Sequence, residues 1–150
     1  MHGAAADATL EKTMSRFSFH RRQQATDAGG AGAAPALLDA DALARLRQLD
    51  PNGSRGFVAQ VLRTFEASLV RHLATLEDAR LQGDLKRAGD VAHTLKSSSA
   101  SVGALAFAQG CTALERLARL GDRSALGAPL QALQLEGTRV LGAVRAMLQP

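Results

Sequence analysis

From Leu37 to Leu148 the apolar residues of this sequence return at steps of three and four. That is the period of a helix, and each such run must bury one stripe against something else. No stretch alternates apolar and polar residues as a half-buried strand does, and no internal repeat is evident. Aromatic residues are only 3% of the chain, with no Tyr and no Trp. A core of Leu, Ala and Val suits packed helices better than a β-sandwich. The same scarcity speaks against stacking platforms for single-stranded nucleic acid.

The punctuation of the pattern sets the elements. A short helix is expected over about Asp39 to Leu49, with Leu43, Leu46 and Leu49 on one side. Asp50-Pro51-Asn52-Gly53 is a turn signal. A long helix follows from about Ser54 to Gln82, with Val58, Val61, Leu62, Phe65, Leu69, Leu73 and Leu76 inward. Gly83 ends it and Asp84 can cap the next, from about Asp84 to Val102, whose seam is Leu85, Ala88, Ala92, Leu95, Ser99 and Val102. After Gly103 a helix from about Ala104 to Leu120 turns Phe107, Cys111, Leu114, Leu117 and Ala118 inward. The last runs from about Ser124 to Leu148, with Leu126, Leu130, Leu133, Val140, Leu141, Val144 and Leu148 inward. Short connections make consecutive helices antiparallel. The expected fold is all-α: an up-down-up-down four-helix bundle over residues 36–150, with a short additional N-terminal helix. Residues 1–35, rich in Ala and Gly, are expected to be a flexible tail and linker, and Phe17-Ser18-Phe19-His20-Arg21-Arg22 within them an unstructured basic segment.

Charge and cysteine narrow the function. The net charge is +4, spread evenly, without the cationic stripe of a DNA reader, so an acidic protein partner is expected and nucleic acid is not. Cys111 is the one cysteine, which excludes an internal disulfide and a cysteine-based zinc site. No run approaches the ~18 apolar residues of a membrane span, and the first ten residues lack a secretory pattern. A cytoplasmic, free-standing monomer is the expectation. Asn52-Gly53-Ser54 then reads as a turn and not as a glycosylation acceptor.

A wheel of the third helix, at about 100° per residue, shows where chemistry is possible. Leu95, Val91, Ala88 and Val102 lie roughly 160–220° from His93, so His93 faces solvent. Within about 60° of it lie Lys86, Gly89, Asp90, Lys96, Ser97 and Ala100. Most of these are small or cationic. Such a surface lets another protein's backbone approach the imidazole, and Lys96 can neutralise an anion bonded to the ring. A neutral imidazole nitrogen is a good nucleophile near neutral pH, so phosphoryl acceptance is one chemistry that this arrangement suits. An ordinary surface histidine is the other reading of the wheel alone.

Ala92-His93-Thr94-Leu95-Lys96-Ser97-Ser98-Ser99-Ala100-Ser101-Val102-Gly103-Ala104 closely resembles the phosphohistidine motif of histidine phosphotransfer domains, H-x-L-K-G-S-S followed by G-A. His93 matches the phosphorylated histidine, Leu95 a core position and Lys96 the phosphate-stabilising lysine; Ser98, Ser99, Gly103 and Ala104 also match. Leu114-Glu115-Arg116-Leu117-Ala118-Arg119 is similar to the family's next helix, where a polar residue at Glu115 orients the ring and a basic residue at Arg119 lies near the site. A plain Glu115–Arg119 pair at i, i+4 is the alternative. Ser97 departs from the family's Gly; it is still small, and its hydroxyl can donate to a phosphate oxygen. Gly89, Ala100 and Gly103 are expected to leave room for a partner. The resemblance covers about residues 37–148.

It implies a four-helix bundle whose histidine accepts a phosphoryl group from a receiver-domain aspartate and passes it to another receiver. The receivers belong to response regulators and hybrid histidine kinases. Mg²⁺ belongs to the receiver, and this chain needs no cofactor or metal. Without a Gly-rich nucleotide loop the chain is a carrier and not a kinase. The competing reading is a non-catalytic helical adaptor that binds a receiver domain or kinase. His72 reads as a boundary residue of the long helix, and Cys111 as a small core residue.

Overall fold

The computed structural model describes residues 36–149. The expected tail, residues 1–35, and the segment around Phe17 lie outside them. The described residues form five helices, α1 (Ala40–Gln48), α2 (Phe57–Gln82), α3 (Leu85–Ser101), α4 (Leu105–Leu120) and α5 (Gly127–Leu148), and no strand. The long helices α2 to α5 run up-down-up-down, each packed on the next, and α5 closes the bundle against α2. α1 leans on α2 outside it.

Local chemistry explains the boundaries. The Asp39 side chain accepts from the Ala42 N–H at 3.0 Å and so starts α1. α2 begins at Phe57, three residues later than expected. Gly53 and Gly56 both adopt left-handed backbone, and the buried Asp50 carboxylate accepts from the N–H groups of Arg55 and Phe57 at 3.1 and 3.2 Å. The loop is thus wound around Asp50, and the helix cannot start before Phe57. At its other end the Gly83 N–H bonds to Arg80 O and the Asp84 N–H to Ala79 O, the paired closure that a left-handed glycine permits. Asp84 then caps α3 through the Arg87 N–H at 3.1 Å. α5 starts at Gly127 and not near Ser124, because the Ser124 N–H and hydroxyl both bond to the Asp122 carboxylate, at 3.0 and 2.6 Å, and hold a turn there.

The core is the expected stripe set. Val61, Leu62, Phe65, Leu69 and Leu76 of α2 meet Ala88, Ala92 and Leu95 of α3, Phe107, Cys111 and Leu114 of α4, and Leu130, Leu133, Val140 and Val144 of α5, all buried. Leu49 departs from expectation: it stands at the C-cap of α1, past the last turn, and is exposed. Two small residues set close spacing. A Cβ on Gly137 would lie 2.6 Å from Leu73 Cδ2, and one on Gly110 would lie 2.8 Å from Leu133 Cδ1. The inward face of α3 is mostly Ala and Ser, so α4 packs most extensively against α3. That seam carries the site.

Candidate functional site

His93 sits in the middle of α3, where every backbone N–H and C=O is already committed to the helix. Its side chain is 63% exposed. The imidazole leans toward α4, and its Nδ1 lies 2.8 Å from Glu115 Oε1. Lys96, one turn along α3, donates from Nζ to Glu115 Oε2 at 3.2 Å. Arg119, one turn along α4, donates to Glu115 Oε1 at 2.6 Å. Three donors from two helices therefore converge on one carboxylate, which is 9% exposed while Arg119 is 76% exposed.

The electrostatics follow from that arrangement. Burial works to raise the Glu115 pKa, but the hydrogen bonds from His93 and Lys96, with their charges, outweigh it and hold the carboxyl below its ordinary value. Glu115 is a carboxylate near neutral pH and accepts only. The hydrogen between it and His93 therefore belongs to Nδ1, so a neutral imidazole is in the Nδ1–H tautomer with its lone pair on Nε2. One turn before Glu115, the thiol of Cys111 is pushed up to about 12 by burial and by the Glu115 charge, against the opposing pull of Lys96. It stays protonated and inert.

Beside the ring runs a groove lined by Leu85, Lys86, Gly89, Asp90 and Ala118. Gly89 keeps α3 and α4 close, since a Cβ there would lie 3.1 Å from the Ala118 Cβ. Ser97 and Ala100 follow on α3 and are half-buried; the Ser97 carbonyl accepts from the Ser101 hydroxyl at 3.0 Å. Gly103 does not belong to this surface. It is buried at the turn between α3 and α4, where its carbonyl accepts from the Asp39 N–H at 2.7 Å. The expectation that it faces a partner is therefore corrected: the segment before α1 covers it. His72 is half-buried, with Nδ1 2.8 Å from the Ser68 carbonyl. Among the described residues no group of His, Cys, Asp and Glu is placed to hold a metal ion.

The structure thus brings His93, Lys96, Glu115, Arg119 and Gly89 together. Sequence reasoning left open whether Glu115 orients the ring or merely pairs with Arg119; in the structure its carboxylate is hydrogen-bonded to both His93 Nδ1 and Arg119. Its burial was the missed signal. Glu115 stands four residues after Cys111 and three before Ala118, within the stripe assigned inward, and a carboxylate inside such a stripe needs partners.

The Hpt domain family matches residues 60–149 of this sequence. The chain belongs to the Hpt domain family. The match starts within α2, so α1 precedes the Hpt-matched region. The fold is also similar to the crystal structure of histidine-containing phosphotransfer protein B from Pseudomonas aeruginosa PAO1, with 27% identity and a TM-score of 0.68. That alignment covers 78% of this chain and 97% of the other. No curated protein matches this sequence. The Hpt chain is accordingly a helical-bundle protein of histidine phosphotransfer in phosphorelays. None of its described helices is long and apolar enough to cross a membrane.

Proposed function

We propose that His93 Nε2 is the atom that carries the phosphoryl group between receiver domains. The observation that carries this reading is the hydrogen bond from His93 Nδ1–H to Glu115, which leaves the opposite nitrogen unprotonated on an exposed ring. In the forward step the Nε2 lone pair attacks the phosphorus of a receiver's aspartyl phosphate. An N–P bond forms, the P–O bond breaks, and the aspartate leaves as a carboxylate with the electron pair. No proton has to move. The same step in reverse loads a second receiver.

Positioning and charge do the rest. Lys96 is 36% exposed and donates at 3.2 Å to Glu115 Oε2, on the same carboxylate that bonds the ring. It balances negative charge that gathers on the phosphoryl oxygens. Arg119 supplies a second cation from α4, and the Ser97 hydroxyl a further donor. Gly89 and Ala100 keep the approach low, so that a receiver's acidic pocket with its own Mg²⁺ can close over the ring. The chain supplies no nucleotide and no metal, and acts as a carrier.

The test is label transfer from a receiver phosphorylated on its aspartate to wild type and to His93→Gln. Acid-labile, base-stable label on wild type alone is the expected result. Equal labelling of both proteins would overturn the assignment to His93. No label on wild type, from receivers that load another carrier, would leave the adaptor reading.

A further inference from the structure

We propose that Asp90 selects the receivers with which this chain exchanges: its carboxylate takes a lysine or arginine that the receiver presents beside its acidic pocket, and it turns away receivers that present an acid there. This deepens the reading of His93 as the carrier and rests on it.

Most carboxylates of the described residues are engaged. Glu115 has three donors, and Glu66, Glu77 and Glu136 pair with Arg145, Arg80 and Arg139. Asp39, Asp50, Asp84 and Asp122 accept from backbone N–H groups. The Asp90 carboxylate takes part in none of these bonds and has no other partner among the described residues. Lys86 and Arg87 stand four and three residues before it on α3, and neither pairs with it. A lysine that precedes its acid is the poorer order for an i, i+4 pair. Asp90 is exposed and lines the groove beside the ring. It lies three residues before His93, so the two side chains are neighbours on one face, with about 5–6 Å between their Cβ atoms.

Left bare, that charge works against the reaction. The phosphoryl group on the ring is negative, and so is the incoming aspartyl phosphate. Lys96 and Arg119 do not cancel Asp90, because both are bonded to Glu115. Asp90 makes no bond to the ring, whose Nδ1 is taken by Glu115, so it acts on the partner and not on the nucleophile. The shape of the groove shows what covers the charge. Leu85, Gly89 and Ala118 give it an apolar wall, and its volume of about 440 Å³ is ample for one long side chain. A lysine or arginine suits both parts: its methylene stem lies along the apolar wall and its head meets Asp90. Inside a closed interface that pair acts through less water than on a free surface, where such a pair is worth little. A receiver with an acid at the same place sets two like charges against each other and docks poorly.

Two phosphoryl donors separate the partner from the chemistry. Phosphoramidate loads the whole chain without a receiver: Nε2 forms the N–P bond and ammonia leaves. A receiver phosphorylated on its aspartate loads the chain through docking. For Asp90→Asn the rate constant of transfer from the receiver is expected to fall about tenfold. The phosphoramidate rate is expected to stay level or to rise up to about twofold, since one repelling charge is gone. Asp90→Glu restores the charge and is expected to keep most of the receiver rate. Single replacements of lysine or arginine by glutamine around the receiver's pocket are then combined with Asp90→Asn. One position is expected whose loss does not add to that of Asp90. Equal or faster transfer from the receiver to Asp90→Asn would overturn the proposal. A fall of the same size with both donors, or a receiver series with no coupled position, overturns it as well. A wild type that takes phosphoramidate label on His93 but exchanges with no receiver would instead overturn the carrier reading, and the proposal falls with it.

Discussion

At the scale of single residues, the site is a problem in placing one negative charge. Glu115 costs desolvation where it sits, and three donors on two helices offset that cost. The motif around His93 contains a second buried polar atom with the opposite fate. Ser99 is fully buried, and its hydroxyl has no hydrogen-bond partner among the described residues. An unpaired buried hydroxyl costs about 1–3 kcal/mol, while the methyl of alanine fits the same space. Ser99→Ala is therefore expected to leave the unfolding free energy from urea titration unchanged or to raise it, and a fall of more than about 1 kcal/mol would show that the hydroxyl is paired in solution. The sequence marked Ser99 as seam, and its spacing alone sufficed for that. Whether its hydroxyl finds a partner depends on how α3 rotates against its neighbours, which spacing does not specify.

Among the elements, the junction of α3 and α4 carries the strictest geometry. Gly103 has φ +87°, and a Cβ there would lie 2.7 Å from Asp39 N and 2.9 Å from Asp39 O. Both atoms are backbone, so neither can swing aside. Gly103→Ala is expected to destabilise the chain by about 1–3 kcal/mol, read from urea unfolding, through close contact and left-handed strain together. The damage should start locally, with faster hydrogen exchange at the Asp39 amide, which bonds to the Gly103 carbonyl. The helices themselves were legible element by element, because 3.6-residue periodicity and glycine stops are local. The starts of α2 and α5 were not. They depend on the Asp50 and Asp122 carboxylates, which accept from N–H or hydroxyl groups further along the chain.

For the whole molecule, α2 and α5 close the bundle, and polar links support that closure. Arg145 bonds to Glu66 at 2.7 Å and Gln134 to Glu77 at 2.9 Å. The Arg80 hydrogen bonds, with help from Gln134, hold the Glu77 carboxyl down at about 2 against an ordinary 4.5. The folded value lies below the unfolded one, so the pair favours folding fully above the unfolded value. Its contribution is lost as the pH falls from about 4.5 to about 2. Thermal unfolding of wild type and Glu77→Gln should therefore differ by a constant amount above about pH 5 and converge toward pH 2. Because Glu77 is solvent-exposed, the constant difference should be small and should shrink further in salt. A gap that widens on acidification would contradict the pairing.

The sequence by itself determined that this chain makes antiparallel helices, that Leu95 and its neighbours point inward, and that His93 and Lys96 share an outward face. Those properties follow from local periodicity and from the fixed geometry of one helix. Only the tertiary structure decided what α4 does to that face. Glu115 is 22 residues from His93 in the chain, and its contact with Nδ1 depends on the distance and rotation of two packed helices. The Ala- and Ser-rich inner face of α3 and the glycine at position 89 allow that close approach. Gly103 shows the reverse case: its motif position suggested a surface role, and a segment from before α1 buries it. A helical wheel orders the residues of one helix, whereas burial and hydrogen bonding are properties of the helices that pack against it.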